Sequence, residues 1–210
     1  MRAAPARLLE RGRHVSRGSA RGRGPGTAIR FLSATLVYAQ GVERGLIEVV
    51  VEIPRGSRNK YELDKDRGVL VLDRVLYSSV HYPTDYGFVS GTLAEDGDAL
   101  DALVVVDEPT FPGCHIVARP IGVLDMTDEK GPDQKILAVP VGDPRFSSIH
   151  DLHDIDPHWL REIENFFQTY KALEDKWTDV VGWEDATAAE KVIVQARELY
   201  ASGLEGAELP

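Results

Sequence analysis

From Leu46 onward, apolar residues gather in short runs. Leu46–Ile53, Val69–Tyr77, Ala102–Val106, Ile116–Leu124 and Ile136–Val141 are each of strand length, and clusters of Gly, Pro and Asp separate them. Runs of this size and spacing predict a small barrel or sandwich. Two helices are predicted late in the chain. Asp156 is placed to cap the first, with Pro157 at its first position, and Trp159, Leu160, Ile163, Phe166, Phe167 and Tyr170 recur along one broad apolar face. The second is predicted from Thr187, with Glu190 completing a capping box, through Val192, Ile193, Ala196 and Leu199 to Gly203. Strands followed by helices, with no internal repeat, predict an α+β fold.

Residues 1–45 break this pattern. The stretch 1–27 mixes Gly, Arg, Ala and Ser and cannot bury enough apolar surface to offset the entropy of ordering it, so disorder is expected there. Phe31 to Ala39 is apolar but too brief to span a bilayer, and no membrane partner is expected. The leader reads as an inert tail or a start-site artefact, with translation beginning near Val42 or Leu46. A secretory signal or an organellar transit peptide is the alternative. Residues 46–203 then form the domain, and 204–210 a loose tail.

Composition adds less than charge. With 43% hydrophobic and 28% charged residues the chain is of ordinary globular type, and its one cysteine, Cys114, asks for no oxidising compartment, so a cytoplasmic location is expected. The net charge of −10 hides an asymmetry, because residues 1–30 carry eight Arg and a single acid, Glu10. The remaining 16 basic and 33 acidic side chains give residues 31–210 a balance of −17. Such a body repels nucleic acid and has carboxylates to spare for divalent cations.

Three polar clusters carry candidate chemistry. In Asp96-Gly97-Asp98-Ala99-Leu100-Asp101, strand geometry alone would send Asp101 to the face opposite Asp96 and Asp98, but a turn at Gly97 can swing all three toward one point. Carboxylates held that close need a compensating cation, and hard Mg2+ prefers such oxygens; a solvated acidic turn is the plain alternative. An EF-hand is excluded, since Leu100 and Asp101 stand where that loop needs oxygen and Gly. In the second cluster, Asp128 and Asp133 flank a Gly131-Pro132 turn and should lie on opposite limbs of one hairpin end, with Lys135 beside Asp133. A charged exposed hairpin is the alternative. In the third, Lys60 and Glu62 follow Glu52-Ile53-Pro54 and share a face if extended. Arg74 lies inside an apolar run, where it needs an anion or a buried ion pair. His150, His153 and His158 read as exposed loop residues rather than a metal site.

In this order, Glu52-Ile53-Pro54, Lys60-Tyr61-Glu62, Asp73-Arg74, Tyr82-Pro83-Thr84-Asp85-Tyr86-Gly87, the Asp96–Asp101 run, Met126-Thr127-Asp128-Glu129 and Phe166–Lys171 closely resemble the family I soluble inorganic pyrophosphatases, over residues 46–200. The resemblance implies a five-stranded OB-like β-barrel with two main flanking helices, several Mg2+ ions, a pyrophosphate substrate and, in bacteria, a homohexamer. By position it implies metal ligation by Glu52, Asp96, Asp101, Asp128 and Asp133. It implies substrate binding by Lys60, Glu62, Arg74, Tyr82, Tyr86, Lys135, Tyr170 and Lys171. Asp98 corresponds to the residue that deprotonates or orients the attacking water, and Asp133 is the alternative holder of that role. Ala99 stands where the family usually has Pro or Glu, which removes no ligand.

Pyrophosphate is a dense polyanion, so interleaved acids and bases suit a reaction in which cations neutralise it and activate water. Two other readings remain at this level. An OB-type nucleic-acid-binding module without catalysis would share the barrel, although the charge of the body opposes it. A catalytically dead relative would not be expected to retain every acidic and basic motif position.

Overall fold

The computed structural model describes residues 45–205. The expectations for residues 1–44 and for the end of the tail, 206–210, lie outside the described residues.

The strands in chain order are β1 (Ile47–Ile53), β2 (Asn59–Asp64), β3 (Val69–Val75), β4 (Asp85–Val89), β5 (Asp101–Val104), β6 (His115–Asp128), β7 (Gly131–Pro132), β8 (Lys135–Pro140) and β9 (Thr178–Asp185). Among the described residues the α-helices are α1 (Pro157–Thr169) and α2 (Ala186–Glu205). Five strands close on themselves in the order β1-β4-β5-β8-β6, because β6 also pairs with β1. This is the expected OB-like barrel. The β5–β8 contact is parallel and the other barrel pairings are antiparallel. Outside the ring, β7 and β9 pair with β6, and β2–β3 form a separate hairpin.

The uninterrupted apolar character of β5 and β8 has a plain cause: both of their faces are buried. Leu103, Val105, Leu137 and Val139 join one core with Ile163, Phe166 and Phe167 of α1, while Ala102, Val104, Ile136 and Ala138 join another with Ala189, Ile193 and Ala196 of α2. β4 lies tight against β1, and a Cβ at Gly87 would fall onto the Val50 carbonyl. The preceding turn is fastened by the buried Asp85 carboxylate, which accepts hydrogen bonds from Arg55 N at 2.8 Å and from Thr110 N at 3.0 Å and Oγ1 at 2.6 Å.

Several elements differ from expectation. β2, β4, β7 and β9 were not predicted, since Asn59–Asp64 is largely polar, β4 carries Gly87 at its centre and β9 mixes Val and Trp with acids and Gly182. β6 runs on to Asp128 because β9 pairs with its second half. α1 starts as expected, with Asp156 accepting from His158 N. α2 does not begin at Thr187: Asp185 caps it by accepting from Ala188 N at 2.9 Å, and the helix passes Gly203 to end at Glu205. His158 is in the first turn of α1 rather than in a loop, though exposed like His150 and His153.

Candidate active site

Register brings the central charges together. Parallel pairing sets Asp101 and Lys135 side by side at the starts of β5 and β8. The Lys135 ammonium, almost fully buried, lies 2.7 Å from Asp101 Oδ2 and 2.8 Å from Asp133 Oδ1, and rests near the rings of Tyr86 and Phe167. The Tyr86 hydroxyl donates to the same Asp101 oxygen. Burial by itself would discharge Lys135, but the two carboxylates more than offset this and hold it firmly protonated. Asp133 is pushed upward by burial, against Lys135, with Asp101 adding to the rise. Burial and then Asp101 likewise raise the Tyr86 phenol, which keeps its proton.

Asp128 ends β6 and faces Lys171, whose Nζ is 2.8 Å from Oδ2. Burial would raise this carboxyl, yet Lys171 and the Lys130 N–H, which donates to Oδ1 at 2.8 Å, hold it below its usual range. Asp133 N donates to Met126 O, so Asp128 and Asp133 do stand on opposite limbs of the hairpin end. Tyr170 follows α1 and packs on Phe166 and Phe167, which seat it at the cleft. Burial and then the Asp133, Asp128 and Asp101 charges hold its hydroxyl far above ordinary titration.

Glu52 sits where the β1–β4 register shifts, and it accepts from Leu63 N at 2.7 Å. Desolvation is the main reason that its pKa is pushed up to about 7, with the Leu63 hydrogen bond opposing and Asp101 adding. On the β2–β3 hairpin, Lys60 and Arg74 are direct cross-strand partners. Like charges in that relation repel, and here Asp73 Oδ2 lies between them, 3.4 Å from Lys60 Nζ and 2.6 Å from Arg74 Nη1. Lys60 also contacts Glu62, as expected for an extended segment.

Gly97 takes φ +88° inside a turn closed by Ala94 N to Asp98 O at 2.7 Å, a conformation that suits glycine. Asp96 accepts from Asp98 N, and Asp98, well exposed, pairs with Lys65 at 2.9 Å. Asp96, Asp98, Asp101, Asp128, Asp133 and Glu52 all line one cleft of about 1020 Å³. Lys60, Glu62, Arg74, Tyr86, Lys135, Tyr170 and Lys171 line it too. Tyr82 is the candidate that does not: it is buried against Phe166, with ring centroids 4.7 Å apart, and against Tyr86 at 5.4 Å, and so supports the site from within the core.

Sequence reasoning passed over Lys65, Asp73, Glu129 and Lys176, which also line the cleft. Glu129 and Asp73 stand beside assigned residues in the chain, and that adjacency was the available signal. Among the described residues, no three carboxylates, histidines or cysteines close on a point to form a metal cage. The donor set nevertheless fits hard cations: it is all oxygen, with Asp101 and Asp133 held by Lys135, Asp128 by Lys171, and Glu52 driven upward by burial.

Comparison with known proteins gives the family. The family model described as inorganic pyrophosphatase matches residues 49–201. The chain is 54% identical over 156 residues to the inorganic pyrophosphatase of Nostoc, covering 74% of this chain and 92% of that one. It is 54% identical over 158 residues to that of Methanosarcina mazei, covering 75% and 94%. Among solved structures, the inorganic pyrophosphatase of Thermus thermophilus superposes with a TM-score of 0.74 at 45% identity, covering 75% of this chain and 92% of that one.

Proposed function

Since the chain belongs to the inorganic pyrophosphatase family, we infer that it hydrolyses inorganic pyrophosphate to two orthophosphates in the cleft between the barrel rim and the β2–β3 hairpin. The observation that carries this reading is the convergence of Asp96, Asp101, Asp128 and Asp133, from separate parts of the barrel rim, on a cleft that also holds Lys60, Arg74, Lys135 and Lys171.

Acids alone would repel the substrate, and bases alone would hold the product. Asp96, Asp101, Asp128 and Asp133, with Glu52 at the edge, hold Mg2+ in this reading. The ions supply Lewis acidity for the attacking solvent and neutralise phosphoryl charge. Lys60 and Tyr86 fix one phosphate; Arg74, Tyr170 and Lys171 grip the other. Tyr170 and Tyr86 are both kept protonated; Tyr170 is a hydroxyl donor, and Tyr86 becomes one when its hydroxyl turns from Asp101 to the phosphate. A water oxygen attacks one phosphorus, Asp98 takes its proton, and the bridging oxygen departs with the other phosphate. Arg74 and Lys171 stabilise the charge that grows there. Asp98 suits proton exchange because it is open to solvent and its carboxylate pairs with the exposed Lys65, whereas Asp133 is tied to the buried Lys135.

A cytoplasmic homohexamer completes the proposal. Exposed Phe111, Trp177 and Val181 offer apolar surface for such assembly, and sedimentation in solution tests it. Among the described residues, no helix is long and apolar enough to cross a membrane. The direct test of function is orthophosphate release from pyrophosphate, expected to require Mg2+ and to stop on chelation. Retention of single-stranded DNA on a filter, with no phosphate released, would favour the nucleic-acid-binding alternative instead.

A further inference from the structure

Glu174 lies in the turn after α1, four residues past Tyr170, and its side chain is only 5% exposed. Its Oε2 is 2.8 Å from Arg74 Nε, while its Oε1 is buried without a hydrogen-bond partner. Arg74 Nε is buried and lacks a well-aligned hydrogen bond, so the contact is chiefly ionic. A carboxylate buried with one oxygen unfilled is costly, and a fold that needed only a hydrophobic plug at this point would be more stable with one.

What the arrangement does achieve is orientation. A guanidinium is a planar fork, so engaging two of its edges fixes the direction of the third. Glu174 holds the Nε edge and Asp73 holds Nη1 at 2.6 Å. Among the described residues Nη2 has no hydrogen-bond partner, and the Arg74 side chain lines the cleft. Glu174 N also donates to Lys171 O at 2.8 Å, so the backbone that carries Lys171 is the backbone that braces Arg74. The following residue, Asp175, holds φ at +53°, in the left-handed region.

We propose that Glu174 is a positioning residue: it clamps the Arg74 guanidinium from the side away from the cleft and sets its place relative to Lys171, so that both meet one phosphate. This rests on the reading of Arg74 as a pyrophosphate-binding group. A residue that merely packed the turn would affect melting and leave the Michaelis constant alone.

The test is steady-state hydrolysis at saturating Mg2+ by the full chain carrying Glu174→Ala, Glu174→Gln, Arg74→Lys, or Glu174→Ala with Arg74→Lys, alongside thermal melting. Glu174→Ala is expected to raise KM for pyrophosphate by about five-fold or more while changing kcat by less than about two-fold. Glu174→Gln keeps the shape but removes the charge, and because the contact is chiefly ionic it too should raise KM, while melting falls less than in Glu174→Ala. In the Arg74→Lys background, where the fork is already gone, Glu174→Ala should add little. If Glu174→Ala does not fold, Glu174→Asp, which withdraws the carboxylate by one methylene, replaces it with the same expectation. An unchanged KM in the Glu174 variant, or a rise that simply adds to that of Arg74→Lys, overturns the proposal. An unchanged KM in Arg74→Lys alone instead removes Arg74 from the substrate site, and the proposal falls with that premise.

Discussion

Asp98 and Lys135 show how differently two charged residues of one cleft can be used. Asp98 is exposed, and among the described residues its carboxylate pairs with Lys65, which is exposed as well. Such a surface pair contributes little to folding. Asp98→Asn keeps shape and removes the base, so turnover should fall by about 10²-fold or more while stability shifts by less than about 0.5 kcal/mol, as kinetics and melting will show. Near-normal turnover would reassign the proton transfer to another group. Lys135 is the opposite case, because it is buried and compensates both Asp101 and Asp133. Lys135→Met should cost the metal-free protein about 3–5 kcal/mol, since two carboxylates lose their counter-charge. Mg2+ should then recover more stability in the variant than in the wild type. Equal recovery in denaturant titrations would mean that Lys135 and the cations do not share those carboxylates.

At the scale of elements, the site depends on three places where chain geometry departs from regular repetition. The β1–β4 register shifts at Glu52, the turn at Gly97 folds the acidic run back on itself, and the β2–β3 register shifts beside Lys60. Each re-aims a polar side chain that regular alternation would misplace. The second helix carries a test of its own. Asp185 accepts from Ala188 N, whereas Thr187 lies inside the helix. Asp185→Ala should therefore lower stability by about 1 kcal/mol in chemical denaturation, and Thr187→Ala by much less. The reverse order would restore Thr187 as the cap. Thr187 has the local spacing of a capping box, with Glu190 three residues on. The competing Asp185 ends β9 as well as starting the helix, and that double duty appears only when the strand is seen.

For the molecule as a whole, the cleft couples folding to protons and cations. Glu52 has an ordinary value of 4.5 and is raised to about 7 in the fold. Between these values the folded protein holds a proton that the unfolded chain has released. Stability of the metal-free protein should therefore fall as pH rises through that window, with the penalty complete above it. Melting in chelator should drop between about pH 5 and about pH 8, Glu52→Gln should flatten the slope, and Mg2+ should raise melting more at the higher pH. A Glu52→Gln slope equal to wild type would trace the effect to other carboxylates.

Much of this was legible in the chain. The apolar runs that became β1, β3, β5, β6 and β8, the Asp156-Pro157 start of α1, and the order of acidic and basic motifs are local facts, because burial and capping act on neighbours in sequence. β2, β4 and β9 were not legible, as their stability comes from partners and not from their own residues. The same holds for the site. Sequence determined which carboxylates and cations the protein possesses. Only the closed barrel decided that Lys135 would stand beside Asp101, that Tyr82 would turn into the core, and that Glu174 would reach Arg74, since each contact joins residues far apart in the chain.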